Sequence, residues 1–434
     1  MQKIHLYLIA LMLLLAVSPA RAQNPAPAPA QEKPIALMNG IAHLGNGEVI
    51  PNAVITFRDG KIETVADATR VRLNLDGYEV ISIEGQHVYP GFILPYTNLG
   101  LVEVDAVRAT IDEAEVGEFN PNVRSLIAYN TDSQIIPTVR SNGILLAQVA
   151  PRGGVISGSS SVVQLDAWNW EDAVVQEDGG IWLNWPSIYR RTGWWAEPGP
   201  IEMNKEYDKR VGEIKQFMDD AKAYAEGTPA TINLKLEAMK GLFDGSKKLY
   251  IRADNAKEIV EGIKTAQQYS IPEIVVAGAE DAWLVKDFLK DNKIPVLLAN
   301  VHRLPARPEE DIDMPYKLAG MLHDEGILVG LLYDDLKSNR NLPFFAGTTA
   351  AYGLDKEQAL QLITSNTAKI LGIEDVAGTL EPGKSATLFI SEGDALDMRT
   401  NKVTQAFIQG RDVNLHNKQK ELYKKYKDKY EAGK

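Results

Sequence analysis

Asp334 and His302 are the side chains best placed to do chemistry in this sequence. Asp334, with Asp335 beside it, follows the short apolar run 327–332, and His302 stands three residues past the run 294–299. Where strands and helices alternate in a barrel, residues just beyond the strand ends gather at the functional mouth. A carboxylate and an imidazole there make at best a weak, open metal site. An ordinary loop histidine is the plainer reading. Arg252 closes a third apolar run, 249–252. Its guanidinium stays protonated and repels a divalent ion at close range, so it is expected to pair with Asp334 across the mouth or to hold an anionic ligand. Metal-free chemistry is poorly supplied. Residues 153–161 are rich in glycine and serine but lack the Gly-x-Ser-x-Gly spacing, and no histidine stands nearby to activate a serine. Asp334 and Asp335 are neighbours, which does not give the carboxylate pair about 5 to 9 Å apart that glycoside hydrolysis needs. Glu103, Asp105, Asp112, Glu113, Glu115 and Glu118 crowd one segment and read as a solvated surface rather than a calcium site.

Periodicity supplies the elements that must position these residues. The apolar runs 249–252, 274–277, 294–299 and 327–332 have strand length. Between them lie helical patterns. Asn255 reads as an N-cap with Glu258 three residues on, followed by Ala256, Ile259, Val260, Ile263 and Ala266 on one face. Further helices are expected over 282–289, around 316–324, and as one long helix over 356–371 ended by Gly372. Alternating strands and helices imply a parallel sheet covered on both faces, an α/β architecture for which a (β/α)8 barrel fits the length. Residues 35–65 differ, with short β-prone stretches and hairpin signals at Asn46-Gly47 and Asp59-Gly60. Residues 166–195 hold Trp168, Trp170, Trp182, Trp185, Trp194 and Trp195. They read as a Trp-rich insertion that packs on its own barrel or lines an interface or ligand cleft.

The run Gly91-Phe92-Ile93-Leu94-Pro95-Tyr96-Thr97-Asn98-Leu99-Gly100 resembles the first barrel strand of the amidohydrolase superfamily, Gly-Phe/Leu-Ile-Asp-x-His-x-His-x-Gly. The frame matches at Gly91, Phe92, Ile93 and Gly100. Residues 54–62 are similar to the small β-sandwich that opens many members. The segment Gly378-Thr379-Leu380-Glu381-Pro382-Gly383-Lys384-Ser385-Ala386-Thr387-Leu388 resembles the closing motif of the family, with Thr387 in place of aspartate. The resemblance covers residues 35–413. It implies a TIM barrel over 89–374 and a composite β-sandwich from 35–88 and 375–415. The Gly/Ser run is similar to a tight mouth loop of the imidazolonepropionase-like branch.

The activity implied is metal-dependent hydrolysis of non-peptide C–N bonds. Its ligands are the strand-one histidine pair, a bridging lysine or glutamate, two later histidines, and an aspartate that also shuttles the proton. Here Tyr96 and Asn98 replace the pair, and Leu94 replaces the aspartate of the motif. Arg252 and the Ala277-Gly278-Ala279 run fall where the later histidines are expected. Asp334 alone survives as a catalytic position. The other histidines do not compensate, since His43 and His416 fall in or beside the sandwich, His323 on a helix, and His87 at the wrong strand end. Tyr96, Asn98, Arg252 and His302 are therefore expected to form a vestigial or ligand-binding pocket, with no metal cofactor. The expected role is a non-catalytic binder of a small molecule, or the partner subunit of an intact amidohydrolase. The alternative is an active hydrolase with one divalent metal, such as zinc, in a site rebuilt around Asp334 and His302. In a purely structural subunit, Tyr96 and Arg252 would plug the mouth.

The rest of the chain bears on location. Lys3, the apolar run 6–17 and Ala20-Arg21-Ala22 form a secretory signal over 1–22, so the mature protein is expected in the periplasm or secreted. A Pro/Ala-rich linker occupies 23–34. The sequence contains no cysteine, so its core rather than disulfides must hold it. Net charge is −12, or −14 without the signal's Lys3 and Arg21, and so acidic a body argues against non-specific binding to nucleic acid or anionic lipid. No second apolar run is long enough to span a membrane. Residues 416–434 form a basic tail with seven lysines against Glu421, Asp428 and Glu431, a local +4. Tyr423, Tyr426 and Tyr430 recur there at helical spacing, and a docked or solvated terminal helix is expected.

Overall fold

The computed structural model describes residues 26–432 except 195, 229, 306, 308 and 334. The signal over 1–22 and the candidate Asp334 lie outside the described residues.

Two β-systems organise the chain. The first is one hydrogen-bonded sheet of eight strands drawn from both ends of the sequence. Its centre is Ile35–His43, paired antiparallel with Val49–Arg58 and parallel with His87–Pro90. The C-terminal strand Leu388–Ser391 joins it by pairing antiparallel with His87–Pro90. Asp59 (φ 49°) and Gly60 (φ 77°) both adopt left-handed backbone, the two-residue turn that matches strand twist and links Val49–Arg58 to Lys61–Asp67. Leu37, Ile55, Phe57, Ile62, Leu388 and Phe407 fill its core, and the Phe57 and Phe407 rings meet edge-on at 5.0 Å.

The second system is the barrel. Its strands are β1 (Phe92–Thr97), β2 (Ile144–Val149), β3 (Ile156–Gln164), β4 (Val174–Asn184), β5 (Lys248–Ala253), β6 (Ile274–Gly278), β7 (Val296–Ala299) and β8 (Val329–Leu332). They lie in that spatial order. Closure is nearly complete: the Ile93 N–H donates to the Ile363 carbonyl at 2.9 Å and the Leu331 N–H to the Leu362 carbonyl at 3.1 Å, so residues 362–363 bridge β8 to β1. This corrects the expected single helix over 356–371. It is two helices, Lys356–Gln361 and Ser365–Leu371, because the backbone between them seals the barrel.

Seven strands run parallel, but β3 is antiparallel to both neighbours. A parallel crossover needs a dozen or more residues, and the link from β2 to β3 spans only 150–155. Gly153 and Gly154, at φ 82° and 64°, make that turn. The Gly/Ser run is thus a turn only at its start, and the rest of it is buried strand. Residues 166–195 likewise differ from an appended insertion, since they contain β4. Trp182 is fully buried inside the barrel and Trp185 is 5% exposed, whereas Trp168 and Trp194 lie open. Beyond β4 a hairpin of Tyr189–Trp194 and Glu197–Met203 forms a two-stranded sheet of its own. From β5 onward strands and helices alternate as expected. The capping box of Asn255 and Glu258 opens the helix Ala256–Gln268.

Candidate functional site at the barrel mouth

Tyr96 sits near the end of β1, where the register against β2 slips between Leu94 and Thr97. Its φ of 49° is left-handed, a conformation that costs an L-residue about 1 to 2 kcal/mol. The distortion breaks strand alternation: Ile93 and Tyr96, three apart, pack in the same interior cluster, while Leu94 faces the other way. The phenol ring therefore turns into the barrel, where it is 2% exposed.

There it joins an aromatic stack. The Tyr96 ring lies 4.0 Å from that of Trp182, which stacks on Tyr250 at 4.6 Å and 9°. The polar atoms of the stack are satisfied. Trp182 Nε1 donates to Ser160 Oγ at 3.0 Å, and Gln148 Nε2 donates to the same oxygen at 3.1 Å. Ser160 in turn donates to the Gly180 carbonyl. Burial pushes the Tyr250 phenol well above its ordinary value, so it stays neutral.

Above the stack lies a charged layer. Arg252, at the end of β5, donates from Nη1 to the Tyr96 hydroxyl at 3.0 Å. The guanidinium carbons of Arg152 and Arg252 stand 5.2 and 5.3 Å from the centre of the Tyr96 ring, within cation–π range. Asn98 Nδ2 donates to Glu113 Oε2 at 2.7 Å, and that carboxylate lies 3.8 Å from Arg152 Nε. Asn98 Oδ1 is buried without a hydrogen-bond partner. Glu113 is thus a partner at the mouth, which corrects the reading of the whole acidic segment as solvated surface.

The structure brings Tyr96, Asn98 and Arg252 together and places His302 apart. His302 Nε2 bonds Thr348 Oγ1 at 2.6 Å, and its ring meets Phe345 edge-on at 4.6 Å. Burial lowers its pKa. It lines a cavity of about 460 Å3 with Arg303, Leu304, Tyr316 and Tyr352. Arg252 lines another, of about 240 Å3, with Asn184, Trp185 and Glu258. Asp335 caps its own turn by accepting from the Lys337 N–H and the Ser338 hydroxyl. The expected Arg252–Asp334 pair involves a residue outside those described.

Among the described residues no three His, Cys, Asp or Glu side chains converge as metal ligands. The described donors at the mouth do not fit a divalent ion either, since a phenol hydrogen-bonded to a guanidinium stands at the strand-one position. Sequence reasoning missed Arg152 and Gln148 and did not separate Trp182 from the other tryptophans of its segment. The first follows the end of β2, a position that a correct β2–β3 boundary would have singled out.

The amidohydrolase family model matches residues 205–413. Over that stretch the chain matches the amidohydrolase family, and the barrel with its two-part β-layer agrees with the match. Among solved structures, an amidohydrolase from Thermotoga maritima MSB8 aligns with a TM-score of 0.76 and 22% identity over 88% of this chain and 99% of that one. A zinc-bound adenosine deaminase from Xanthomonas campestris aligns at 0.51 with 13% identity over 94% and 100%. These likenesses bear on fold. A curated 5-methylthioadenosine/S-adenosylhomocysteine deaminase from Teredinibacter turnerae is 35% identical over 97 residues, 19% of this chain. The aligned stretch spans only 22% of that enzyme.

Proposed function

We propose that this superfamily member does not hydrolyse C–N bonds and acts, after export to the periplasm or beyond, as the partner subunit of an amidohydrolase that keeps its metal ligands. The observation that carries this reading is the hydrogen bond between Tyr96 and Arg252. It sets a neutral phenol and a permanent cation where catalysis would need basic metal ligands, and among the described residues water activation by a metal has no ligand set to start from. The partner role draws on the hairpin beyond β4. It exposes Tyr189, Trp194, Ile201 and Met203, and a lone two-stranded ribbon is marginal in water unless something packs against it.

A second reading is favoured by Asn98 Oδ1 and by the cavity beside Arg252. A small anion bearing a hydrogen-bond donor would satisfy both, making the chain a binding protein rather than a subunit.

Elemental analysis of the mature protein tests the reading, after growth with zinc and manganese and exhaustive dialysis. Background metal, with no turnover of amides or lactams, is the expected result. Stoichiometric metal that disappears in Asp334→Ala would overturn it and restore the hydrolase with a site around Asp334 and His302. Co-purification with an amidohydrolase encoded beside it, lost in Trp194→Ser/Ile201→Ser, separates the subunit from the binding protein.

A further inference from the structure

The C-terminal helix Lys418–Glu431 has no buried residue. Asn417 caps it by accepting from the Lys420 N–H, and among the described residues its tie to the body is in the first turn, where Gln419 accepts from the Thr138 hydroxyl. Beyond that turn Tyr423, Tyr426 and Tyr430 are 70%, 51% and 67% exposed. Three bare tyrosines on a helix tethered at one end are a cost in water unless a second surface receives them.

The arrangement of charge says what that surface is. At about 100° per residue, the three tyrosines and Leu422 share an arc of about 100°. Lys418, Lys425 and Lys429 border this stripe on one side, and Lys420 and Lys427 on the other. Gln419 falls within the stripe at its tethered end, and the acids take the far side together with Lys424, Asp428 lying almost opposite the tyrosines. Lysines at the edges of an apolar stripe can lay their stems along a flat interface and lift their heads to anionic groups. Tyrosine suits the boundary between headgroups and water. The chain as a whole carries −12, so an anionic bilayer repels its body and attracts this helix alone. A protein groove would not require cations on both borders and acids at the opposite pole.

We propose that the helix Lys418–Glu431 lies on anionic lipid surfaces and holds the protein at a membrane without crossing it. Among the described residues no helix is long and apolar enough to cross. The tyrosine stripe enters the headgroup layer, the bordering lysines meet lipid phosphates, and the acids face water. This does not depend on the proposed function.

The test is co-sedimentation of the full chain with vesicles of phosphatidylglycerol and phosphatidylcholine, against phosphatidylcholine alone. Binding is expected only with the anionic lipid, and 0.5 M salt should weaken it, about 0.5 M being enough to screen surface charge. Each bordering lysine is worth roughly fivefold, so Lys425→Gln/Lys429→Gln should weaken binding roughly 25-fold. Tyr423→Ser/Tyr426→Ser/Tyr430→Ser should abolish it. The matching triple leucine variant, which keeps the stripe and favours helix, should bind at least as tightly. Equal binding to both lipids, or none to either, overturns the proposal. So does a concentration-dependent dimer in sedimentation that the serine variant dissociates while vesicles remain unbound, which would assign the stripe to a second copy.

Discussion

Strands β5 to β8 lie parallel and alternate with helices, whereas β2, β3 and β4 form an antiparallel meander whose interior is stacked aromatic and hydroxyl-rich. The family match, over 205–413, begins after β4. The half outside it carries Tyr96 and Trp182, two rings of the interior aromatic stack. Strands β5 to β8 keep the regular strand–helix alternation, while the interior between β1 and β4 packs around Tyr96 and Trp182.

Trp182→Ala would break this contrast most strongly. It removes the centre of the stack and one of the two donors to Ser160 Oγ, and a loss of about 3 to 5 kcal/mol is expected by chemical denaturation. A loss under about 1 kcal/mol would mean that the meander does not depend on its aromatics. Tyr96→Phe probes the charged layer. It deletes the acceptor of Arg252 Nη1, and about 1.5 kcal/mol is expected. In the regular half, Asn255→Ala removes a cap, costs about 1 kcal/mol, and should leave the fluorescence of the stack unchanged.

The smallest effect is a pH response in the β-layer. His43 bonds Glu357 through Nδ1 at 2.7 Å and His87 through Nε2 at 2.9 Å. Burial, then His43, holds the His87 pKa below its ordinary value, with Asp394 and Glu357 opposing and Lys356 reinforcing. Between that lowered pKa and the unfolded value of about 6.5, the unfolded chain binds more protons. Stability is therefore full above about 6.5 and declines as pH falls through the folded pKa. Melting temperature should fall from pH 7.5 to 5.5, and less steeply in His87→Asn.

The regular half was legible because each helix shows an apolar face and a cap, as at Asn255, and each strand is a short apolar run. The meander was not. β3 carries Ser157, Ser159, Ser160 and Ser161, which resemble loop residues until their burial and their distant hydrogen-bond partners are known. Trp182 reads as decoration in a tryptophan-rich segment because nothing local marks it as a strand interior. The break after Gln361 is invisible in a helical pattern, since its cause is a distant pair of N–H groups on Ile93 and Leu331. At the site, the replacement of the histidine pair by Tyr96 and Asn98 was readable. That Arg252 would bond Tyr96 depended on a backbone distortion that no residue type announces.

The β-layer that joins strand His87–Pro90 to Leu388–Ser391 has a consequence for timing. During synthesis the strands before residue 90 must wait for nearly the whole remaining chain before their last partners exist. Through that interval His87–Pro90 presents an unpaired edge, and contacts separated by about 300 residues close late. A growing chain of this design is held back from its final form until its end emerges, and any truncation before residue 388 leaves that edge permanently open.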